Sequence, residues 1–213
     1  MAIGISLPPR RGRPSQARRK SIDHAILTTA RTLFFEEGYD AVSMEAVASV
    51  GGVSKGTLYA RYASKEDLFV AVSAFCMRDW VIAGPAHQSG LPTEPVARLR
   101  AHVRETALGL MRPDVQKYQK LTMSIANRFP KIAREVQRNH LAMIDLLARD
   151  LEQNERAHGR EPTALQDLAE LVIGAIVGWH MQNSIATPMT TRALLQFTDR
   201  MVDAIVHGRP EWQ

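Results

Sequence analysis

The chain has few of the features that mark secreted, membrane-spanning or metal-binding proteins. Its single cysteine, Cys76, allows neither an intrachain disulfide nor a thiolate metal cluster. The longest uncharged apolar run, residues 171–179, has nine residues, whereas roughly 20 are needed to cross a bilayer. No apolar segment near the N-terminus resembles a secretory signal. We therefore expect a cytoplasmic protein without membrane partners, in which Cys76 is buried as a small apolar side chain.

Motifs of catalysis and of cofactor binding are also missing. The seven histidines form no H-E-x-x-H motif and no close pair at helical spacing, so the sequence predicts no metal site. The segment GGVSKGT is not a phosphate-binding loop, because Lys55 precedes Gly56 instead of following it. No G-x-S-x-G nucleophile elbow occurs. The sequence predicts no enzyme and no cofactor.

Positive charge is concentrated at the N-terminus. Residues 1–20 contain six basic residues and no acid, whereas the rest of the chain has 21 basic and 22 acidic residues. Because residues 1–20 show no apolar periodicity, we predict a disordered basic arm. The sequence from Arg11 through Gly12 and Arg13 to Pro14 resembles the core of an AT-hook, which inserts arginines into the minor groove of A·T-rich DNA. The alternative is a solvated tail.

Residues 43–67 contain three predicted helix starts, and the rest of the chain is interpreted around them. Ser43, Ser54 and Ser64 each precede a short helical segment, where a hydroxyl can accept a bond from an otherwise unpaired backbone N–H. Ser64 and Asp67 form a capping box. The spacing predicts a helix-turn-helix followed by a longer helix.

A glycine pair joins the first two of these segments. Gly51 and Gly52 are expected to supply the positive φ angles that a tight turn requires. Val50 and Val53, on either side of them, are expected to pack inward with Leu58. The pattern is typical of crossed helices in a DNA-binding unit, although two helices packed in an ordinary core would give the same pattern.

The segment after the turn exposes small and polar side chains in its first turn, where recognition helices contact the major groove. Gly56 destabilises a helix, so its presence in this segment needs a reason. Close approach of a phosphate strand to the backbone is one such reason. Lys65, beside the capped start at Ser64, could bind another phosphate. The predicted DNA contacts are Arg11, Arg13, Ser43, Ser54, Lys55, Gly56, Thr57, Tyr59, Arg61 and Lys65.

The run GGVSKGTLYARYASKEDLF resembles the TetR-family signature G-V-S-x-G-T-L-Y followed by F-x-S-K-E-x-L. Tyr62 stands where the family commonly has Phe, and Gly52 where it usually has Ala. The C-terminal half resembles the AefR-like branch of the family through the break at Phe129 before a long helix. The resemblance implies a homodimer bound to double-stranded operator DNA, with Ser43, Lys55, Thr57, Tyr59 and Lys65 at positions that family members use to contact DNA.

Outside this motif, apolar residues recur at spacings of three and four, so every periodic segment is predicted to be helical. A first helix should begin at Ser21 and end at Gly38, and a fourth should span residues 65–82. Residues 84–95 form a loop-rich break. The predicted fold is all-α with about nine helices: a disordered arm over residues 1–20, a helix-turn-helix domain over 21–67 and a helical effector-binding and dimerisation domain over 68–213.

The predicted helix over residues 168–181 is apolar on almost all of its faces. Packing against one core would leave part of this apolar surface exposed to solvent. With the final helix they could form half of a four-helix bundle completed by a second subunit. The alternative is an ordinary pair of core helices. The predicted interface residues are Leu171, Gly174, Ala175, Gly178, Phe197, Met201 and Ile205.

Bulky side chains on the C-terminal helical faces are either core or the lining of an effector cavity, and the sequence alone does not separate the two. The candidates are Phe75, Trp80, Met111, Tyr118, Met123, Phe129, Met143, Trp179, His180 and Asn183, of which Tyr118, His180 and Asn183 could supply polar contacts.

The sequence therefore predicts a homodimeric transcriptional repressor that a small apolar or amphipathic effector releases from an inverted-repeat operator. An activator or an architectural DNA-binding protein without an effector is the alternative, and an enzyme with a borrowed helix-turn-helix is a further one. The identity of the effector, the operator sequence and the regulated genes are left open.

Overall fold

The computed structural model describes residues 16–82, 90–185 and 188–207, and over these residues the protein forms nine α-helices and no strand. The all-α prediction is confirmed. The helices are α1 (Gln16–Glu37), α2 (Met44–Val50), α3 (Lys55–Tyr59), α4 (Lys65–Ile82), α5 (Pro95–Leu110), α6 (Pro113–Ile125), α7 (Pro130–Ala157), α8 (Leu165–Asn183) and α9 (Thr191–His207). None of these described helices is long and apolar enough to cross a membrane.

The first helix is longer than its apolar pattern predicts. α1 begins at Gln16 instead of Ser21, so residues 16–20 are helical and the predicted disordered arm is too long. Gln, Ala, Arg and Lys are good helix formers, which an interpretation based on charge and apolar spacing overlooks. The C-terminal end agrees with the prediction, because Gly38 has a φ of 84° and its N–H donates to the Phe34 carbonyl at 3.1 Å.

The N-terminal core joins α1 to α4. Phe34 packs edge-to-face on Phe69 of α4, with their ring centroids 5.2 Å apart, and Leu58 of α3 is fully buried in the same core. Val53 is partly buried against this core, as predicted. Val50 is 67% exposed, so its predicted inward packing is wrong. It lies outside the apolar stripe that α2 presents to the core.

The C-terminal helices α5 to α9 enclose a second core, which includes Val103, Leu147, Val172 and Leu194. Prolines begin three of these helices, where the missing N–H would have no helical partner. α4 connects the two cores, because Trp80 near its end packs against both.

The corner between α6 and α7 also contacts the N-terminal core. The Phe129 ring lies 4.7 Å from the Tyr39 ring, and the Arg128 guanidinium donates twice to the Asp40 carboxylate at 2.8 and 2.9 Å. Lys131 Nζ donates to Asp67 Oδ1 at 2.6 Å. The N-terminal helices are therefore connected to the larger domain through this corner as well as through α4.

Candidate DNA-binding surface and effector cavity

Serine side chains cap all three predicted helix starts. The Ser43 hydroxyl accepts from the Ala46 N–H at 3.0 Å, and the Ser54 hydroxyl accepts from the Thr57 N–H at 3.1 Å. Ser64 accepts from the Asp67 N–H at 3.1 Å. These bonds satisfy backbone donors that a helix end leaves unpaired. The predicted starts of α2, α3 and α4 are confirmed.

The two glycines of the turn have different roles. Gly52 has a φ of 64°, a conformation that favours glycine. Gly51 has a φ of −75°, so the predicted positive φ is wrong at this position. A Cβ at Gly51 would instead lie 2.9 Å from the Val47 carbonyl oxygen. A side chain at Gly51 would clash with a neighbouring carbonyl group, whereas a side chain at Gly52 would be disfavoured by the positive φ angle.

The outer face of α3 presents exposed small and polar groups around its first turn. Ser54, Lys55 and Gly56 are exposed, and the Thr57 hydroxyl lies 2.8 Å from Ser54 Oγ. A Cβ added at Gly56 would meet no atom nearer than Ser54 Oγ at 4.0 Å. Since intramolecular packing does not demand a glycine here, the surface is open to the close approach of another molecule.

Glu45 adds a carboxylate to this face that the sequence analysis did not single out. Its Oε1 lies 3.7 Å from Lys55 Nζ and accepts from the Tyr59 hydroxyl at 3.4 Å. Tyr59 is 45% exposed, so its hydroxyl can exchange this contact for another. A pairing between a residue on α2 and two on α3 has no short-range signal in the sequence, because it depends on how the two helices cross.

Two further predicted DNA contacts, Arg61 and Lys65, also form bonds within the protein. Arg61 Nε donates to Asp23 Oδ1 of α1 at 2.6 Å. Lys65 Nζ donates to the carbonyl oxygens of Tyr39 and Val42 at 2.8 and 2.9 Å. Both cations therefore connect separate parts of the helix-turn-helix unit, a role that was not predicted. A DNA contact by either one stays a prediction. Arg11 and Arg13 lie outside the described residues.

A cavity of about 670 Å³ lies between α6 and the C-terminal end of α8. A volume of this size is typical of sites for small organic molecules. Its wall combines methionine and other apolar side chains with amide, hydroxyl and ammonium groups. The lining residues are Gln116, Gln119, Lys120, Met123, Ser124, His180, Met181, Gln182, Ser184, Ile185, Pro188 and Met189.

Four of the ten effector candidates lie in cavity walls. Met123 and His180 line the larger cavity, and Trp179 and Asn183 line a neighbouring one of about 330 Å³. The remaining wall residues were not predicted. The candidates were chosen mainly for bulk, and the sequence does not show which smaller polar residues, such as Gln119, lie beside a cavity.

The other six candidates do not line either of these two cavities. Phe75 and Phe129 pack in the N-terminal core, and Met111 packs against the C-terminal core. Met143 is partly buried on α7. Trp80 Nε1 donates to Asp114 Oδ2 at 2.7 Å. These side chains fill space between helices, which is the alternative that the sequence could not exclude.

Tyr118, the sixth of them, connects three helices. Burial raises the pKa of its hydroxyl, which is hydrogen-bonded to the Ser73 hydroxyl of α4. The Asn139 side chain of α7 donates to Ser73 Oγ at 2.9 Å. Beside it on α6, Gln119 and Lys120 line the cavity. α6 therefore contacts the cavity on one face and α4 on the other.

His180 is the most deeply buried polar residue of the larger cavity's wall, with 4% of its surface exposed. Burial lowers the pKa of its imidazole, which favours the neutral ring. Its Nε2 has no hydrogen-bond partner among the residues that the structure describes. This nitrogen is itself buried, and a buried polar atom without a partner costs about 1–3 kcal/mol.

The predicted dimer residues lie on α8 and α9. Leu171 is 69% exposed, and Gly174 and Gly178 are exposed on the same helix, with open space where a Cβ would be. Phe197 of α9 stacks on Trp179, with the ring centroids 4.5 Å apart. Ala175 and Met201 are partly buried, and Ile205 is 39% exposed. The opposite face of α8 is buried against the C-terminal core.

Comparisons of the sequence with known proteins match bacterial transcriptional regulators. The sequence profile described as bacterial regulatory proteins, tetR family, matches residues 26–72. The HTH-type transcriptional activator FasR of Mycolicibacterium smegmatis is 31% identical over 129 residues. That match covers 59% of this chain and 58% of the length of that protein.

Solved structures of TetR-family and other transcriptional regulators share the fold. A TetR-family regulator from Mesorhizobium loti has a TM-score of 0.76 at 23% identity, covering 91% of this chain and 98% of that one. A transcriptional regulator from Pseudomonas aeruginosa has a TM-score of 0.70 at 17% identity, covering 92% of this chain and 94% of that one. These relatives are regulators and not enzymes, in agreement with the prediction that the chain is not an enzyme.

Proposed function

We propose that the chain is a DNA-binding transcriptional regulator of the TetR family, and that it acts as a homodimeric repressor released from an inverted-repeat operator by a small apolar or amphipathic effector. The observation that best supports DNA reading through α3 is its open outer face, where Gly56 has free space above it and Ser54, Lys55 and Tyr59 are exposed. Lys55 and Thr57 would contact bases or phosphates, and Tyr59 a phosphate.

In this proposal the dimer forms through the exposed apolar face of α8 and α9. Two-fold symmetry then places the two copies of α3 in successive major grooves. The half-sites would lie about one helical turn, or roughly 34–36 Å, apart.

The effector would act by changing this spacing. α6 supports the idea, because it lines the larger cavity and also holds α4 through the bond between Tyr118 and Ser73. A ligand that fits best when α6 and α4 have shifted favours dimers whose recognition helices no longer match the operator. Switching the population from 1:99 to 99:1 needs about 5.5 kcal/mol of differential binding.

Selection of bound fragments from genomic DNA, followed by footprinting, tests the operator proposal. We expect a protected inverted repeat with the spacing given above. Lys55→Ala should weaken binding and reduce the salt slope by about 0.9 if the side chain neutralises one phosphate. Arg149→Ala, which removes an exposed cation from α7, is the matched control and should leave both unchanged. An unchanged slope for Lys55→Ala would contradict the proposed face.

The second candidate function is transcriptional activation, which is favoured by the name of the FasR relative. Transcript levels of genes beside the selected operator distinguish the two. Deleting the regulator should raise these transcripts if it represses and lower them if it activates.

A further inference from the structure

We propose that the corner between α6 and α7 fixes the orientation of the helix-turn-helix through Arg128 and Lys131, and thereby determines which half-site spacing the dimer accepts. The proposal rests on the homodimer and the inverted-repeat operator proposed above. Arg128 and Lys131 act as positioning residues, because they affect DNA binding through the helices that they hold.

The corner holds the loop that leads into α2. The Arg128 guanidinium donates to both carboxylate oxygens of Asp40, at 2.8 and 2.9 Å, and the ring centroids of Phe129 and Tyr39 lie 4.7 Å apart. Two bonds from a planar guanidinium to one carboxylate fix the relative orientation of the two groups as well as their distance. Asp40 lies just before Ser43, which caps α2, so the corner is attached next to the start of that helix.

The first turn of α7 holds the other end of the helix-turn-helix, where α4 begins. Lys131 Nζ donates to Asp67 Oδ1 at 2.6 Å, and the Lys131 backbone N–H donates to Glu66 Oε1 at 3.0 Å. The second bond pairs a backbone donor that the start of α7 would otherwise leave without a helical partner. Asp40 precedes α2 and α3 along the chain, whereas Glu66 and Asp67 follow them, so both ends of this segment are held.

Lys65, the first residue of α4, joins these two ends to each other. Its Nζ donates to the carbonyl oxygens of Tyr39 and Val42 at 2.8 and 2.9 Å. The loop before α2, the start of α4 and the corner therefore contact one another in pairs. Contacts at three places allow less rotation than a single pivot through α4 would.

Polar and apolar contacts of the corner have different effects. Ile125 and Ile132, on either side of it, are buried in the N-terminal core and attach the corner there, but apolar contacts are not directional. The ion pairs of Arg128 and Lys131 are partly exposed, so each contributes little to the free energy of unfolding. Their directional bonds instead fix how the N-terminal core is tilted on the larger domain.

This tilt determines the separation of the two copies of α3 in the proposed dimer. One base pair more or less between the half-sites changes their separation by about 3.4 Å and their relative rotation by roughly 35°. A dimer whose N-terminal helices are held at one tilt does not adjust to such a change, whereas a dimer with a loosened corner adjusts in part.

Operators with altered spacing test this role. The best operator from the selection described above, and versions with one base pair inserted or removed between the half-sites, are titrated with the full chain in gel-shift assays. We expect each altered spacing to weaken wild-type binding by about tenfold or more, because the two half-sites are no longer contacted together. The measured quantity is the ratio of the Kd for an altered spacing to the Kd for the best operator.

A double alanine variant removes both ion pairs of the corner. In Arg128→Ala/Lys131→Ala this ratio should fall to about threefold, because a more flexible dimer reaches both half-sites at the altered spacings. Arg156→Ala/Arg160→Ala is the matched control, since it also removes two cations, and their pairs with carboxylates lie within the larger domain. It should keep the wild-type ratio. The lost charge affects all three operators alike and cancels in the ratio.

A charge exchange assigns the effect to the pair of Arg128 and Asp40. Asp40→Arg alone should lower the ratio, because two guanidinium groups would face each other, and adding Arg128→Asp should restore it. Hydrogen exchange of the amides of residues 38–42 measures the hold on the loop without DNA, and it should be faster in the double alanine variant. Thermal unfolding of each variant confirms that it is folded.

Three outcomes would overturn the role of the corner: equal wild-type binding to all three spacings, a wild-type ratio in the double alanine variant, or a charge exchange that does not restore the ratio. Faster hydrogen exchange with an unchanged ratio would mean that the corner only stabilises the loop, and it would also overturn this role while leaving the proposed function in place. Absence of an inverted repeat among the selected fragments would overturn the proposed function and this inference together.

Discussion

Gly56 is a residue at which helix stability and the proposed DNA contact make opposite demands. It lies in the first turn of α3, where glycine disfavours the helix, yet no packing within the described structure requires it. The open space above it is where a phosphate strand would approach in the proposed complex.

Gly56→Ala should therefore change stability and DNA binding in opposite directions. We expect the free energy of unfolding to rise by up to about 1 kcal/mol, because alanine favours the helix. Operator affinity should fall by about tenfold, or roughly 1.4 kcal/mol, because the methyl group separates the backbone from the phosphate. Urea unfolding and gel-shift titration measure the two effects.

Gly109→Ala is the control for this substitution, since Gly109 is also helical with open space above it but lies on α5. It should stabilise the protein without affecting the operator. Wild-type operator affinity in Gly56→Ala would show that no phosphate approaches this residue.

At the scale of helices, α5 and α7 are joined by a buried charged cluster. Arg98 donates to both carboxylate oxygens of Asp150, at 2.6 and 2.7 Å, and His102 Nε2 lies 2.6 Å from Asp150 Oδ2. Burial alone would raise the pKa of Asp150, but the bonds to Arg98 and His102 outweigh it and lower that pKa below its ordinary value.

This lowered pKa predicts a loss of stability in acid. A carboxyl group whose pKa is depressed by folding stabilises the protein above its unfolded pKa, and the contribution is lost as pH falls through the folded value. Asp150→Asn should lower the free energy of unfolding at pH 7 by about 3 kcal/mol, because Arg98 loses its buried partner. It should also flatten the decline in stability below about pH 4.

Denaturant midpoints of the wild type and Asp150→Asn across this pH range measure both effects. Asp145→Asn, at a partly buried residue of α7 whose pair with Arg149 is largely exposed, is the control and should behave like the wild type. Parallel pH profiles for the wild type and Asp150→Asn would contradict the assignment.

At the scale of the whole molecule, the proposed dimer depends on the exposed face of α8. Leu171→Asp introduces a charge where two apolar faces would meet, so we expect a folded monomer in light scattering. Operator affinity should fall by about 100-fold or more, because two linked half-site contacts become independent. The control is Leu141→Asp, which places the same charge at a 51% exposed leucine of α7, a helix outside the proposed α8–α9 interface. A dimer that persists in Leu171→Asp would place the interface elsewhere.

The basic arm is the other feature that belongs to the whole molecule. Residues 43–67 contain three basic and three acidic residues, so the helix-turn-helix adds no net charge. Removing residues 1–14 should weaken operator binding, most clearly at A·T-rich flanks. The salt slope should flatten by about 0.9 for each phosphate that the arm neutralises in the full-length protein. Identical salt slopes for the two proteins would show that the arm does not contribute to binding.

The helices and their capped starts follow from the order of residues along the chain, as does the resemblance to the TetR family. Ser43, Ser54 and Ser64 act on backbone groups three residues away, and apolar spacing is likewise a short-range property, so both are visible in the sequence. The main error in helix boundaries is the start of α1, which lies at Gln16 and not at Ser21. Residues 16–20 favour a helix by intrinsic propensity, but they contain no apolar stripe that would reveal it.

The pairing of side chains across helices depends instead on the packed fold. Arg98 and Asp150 are 52 positions apart, and Lys65 and Tyr39 are 26 apart. Periodicity identifies the face of a helix but not the partner of that face, so the sequence could not separate Tyr118, which bonds to α4, from Met123, which lines the cavity. The same limit applies to His180, because helical spacing does not show that its Nε2 is buried without a partner among the residues that the structure describes.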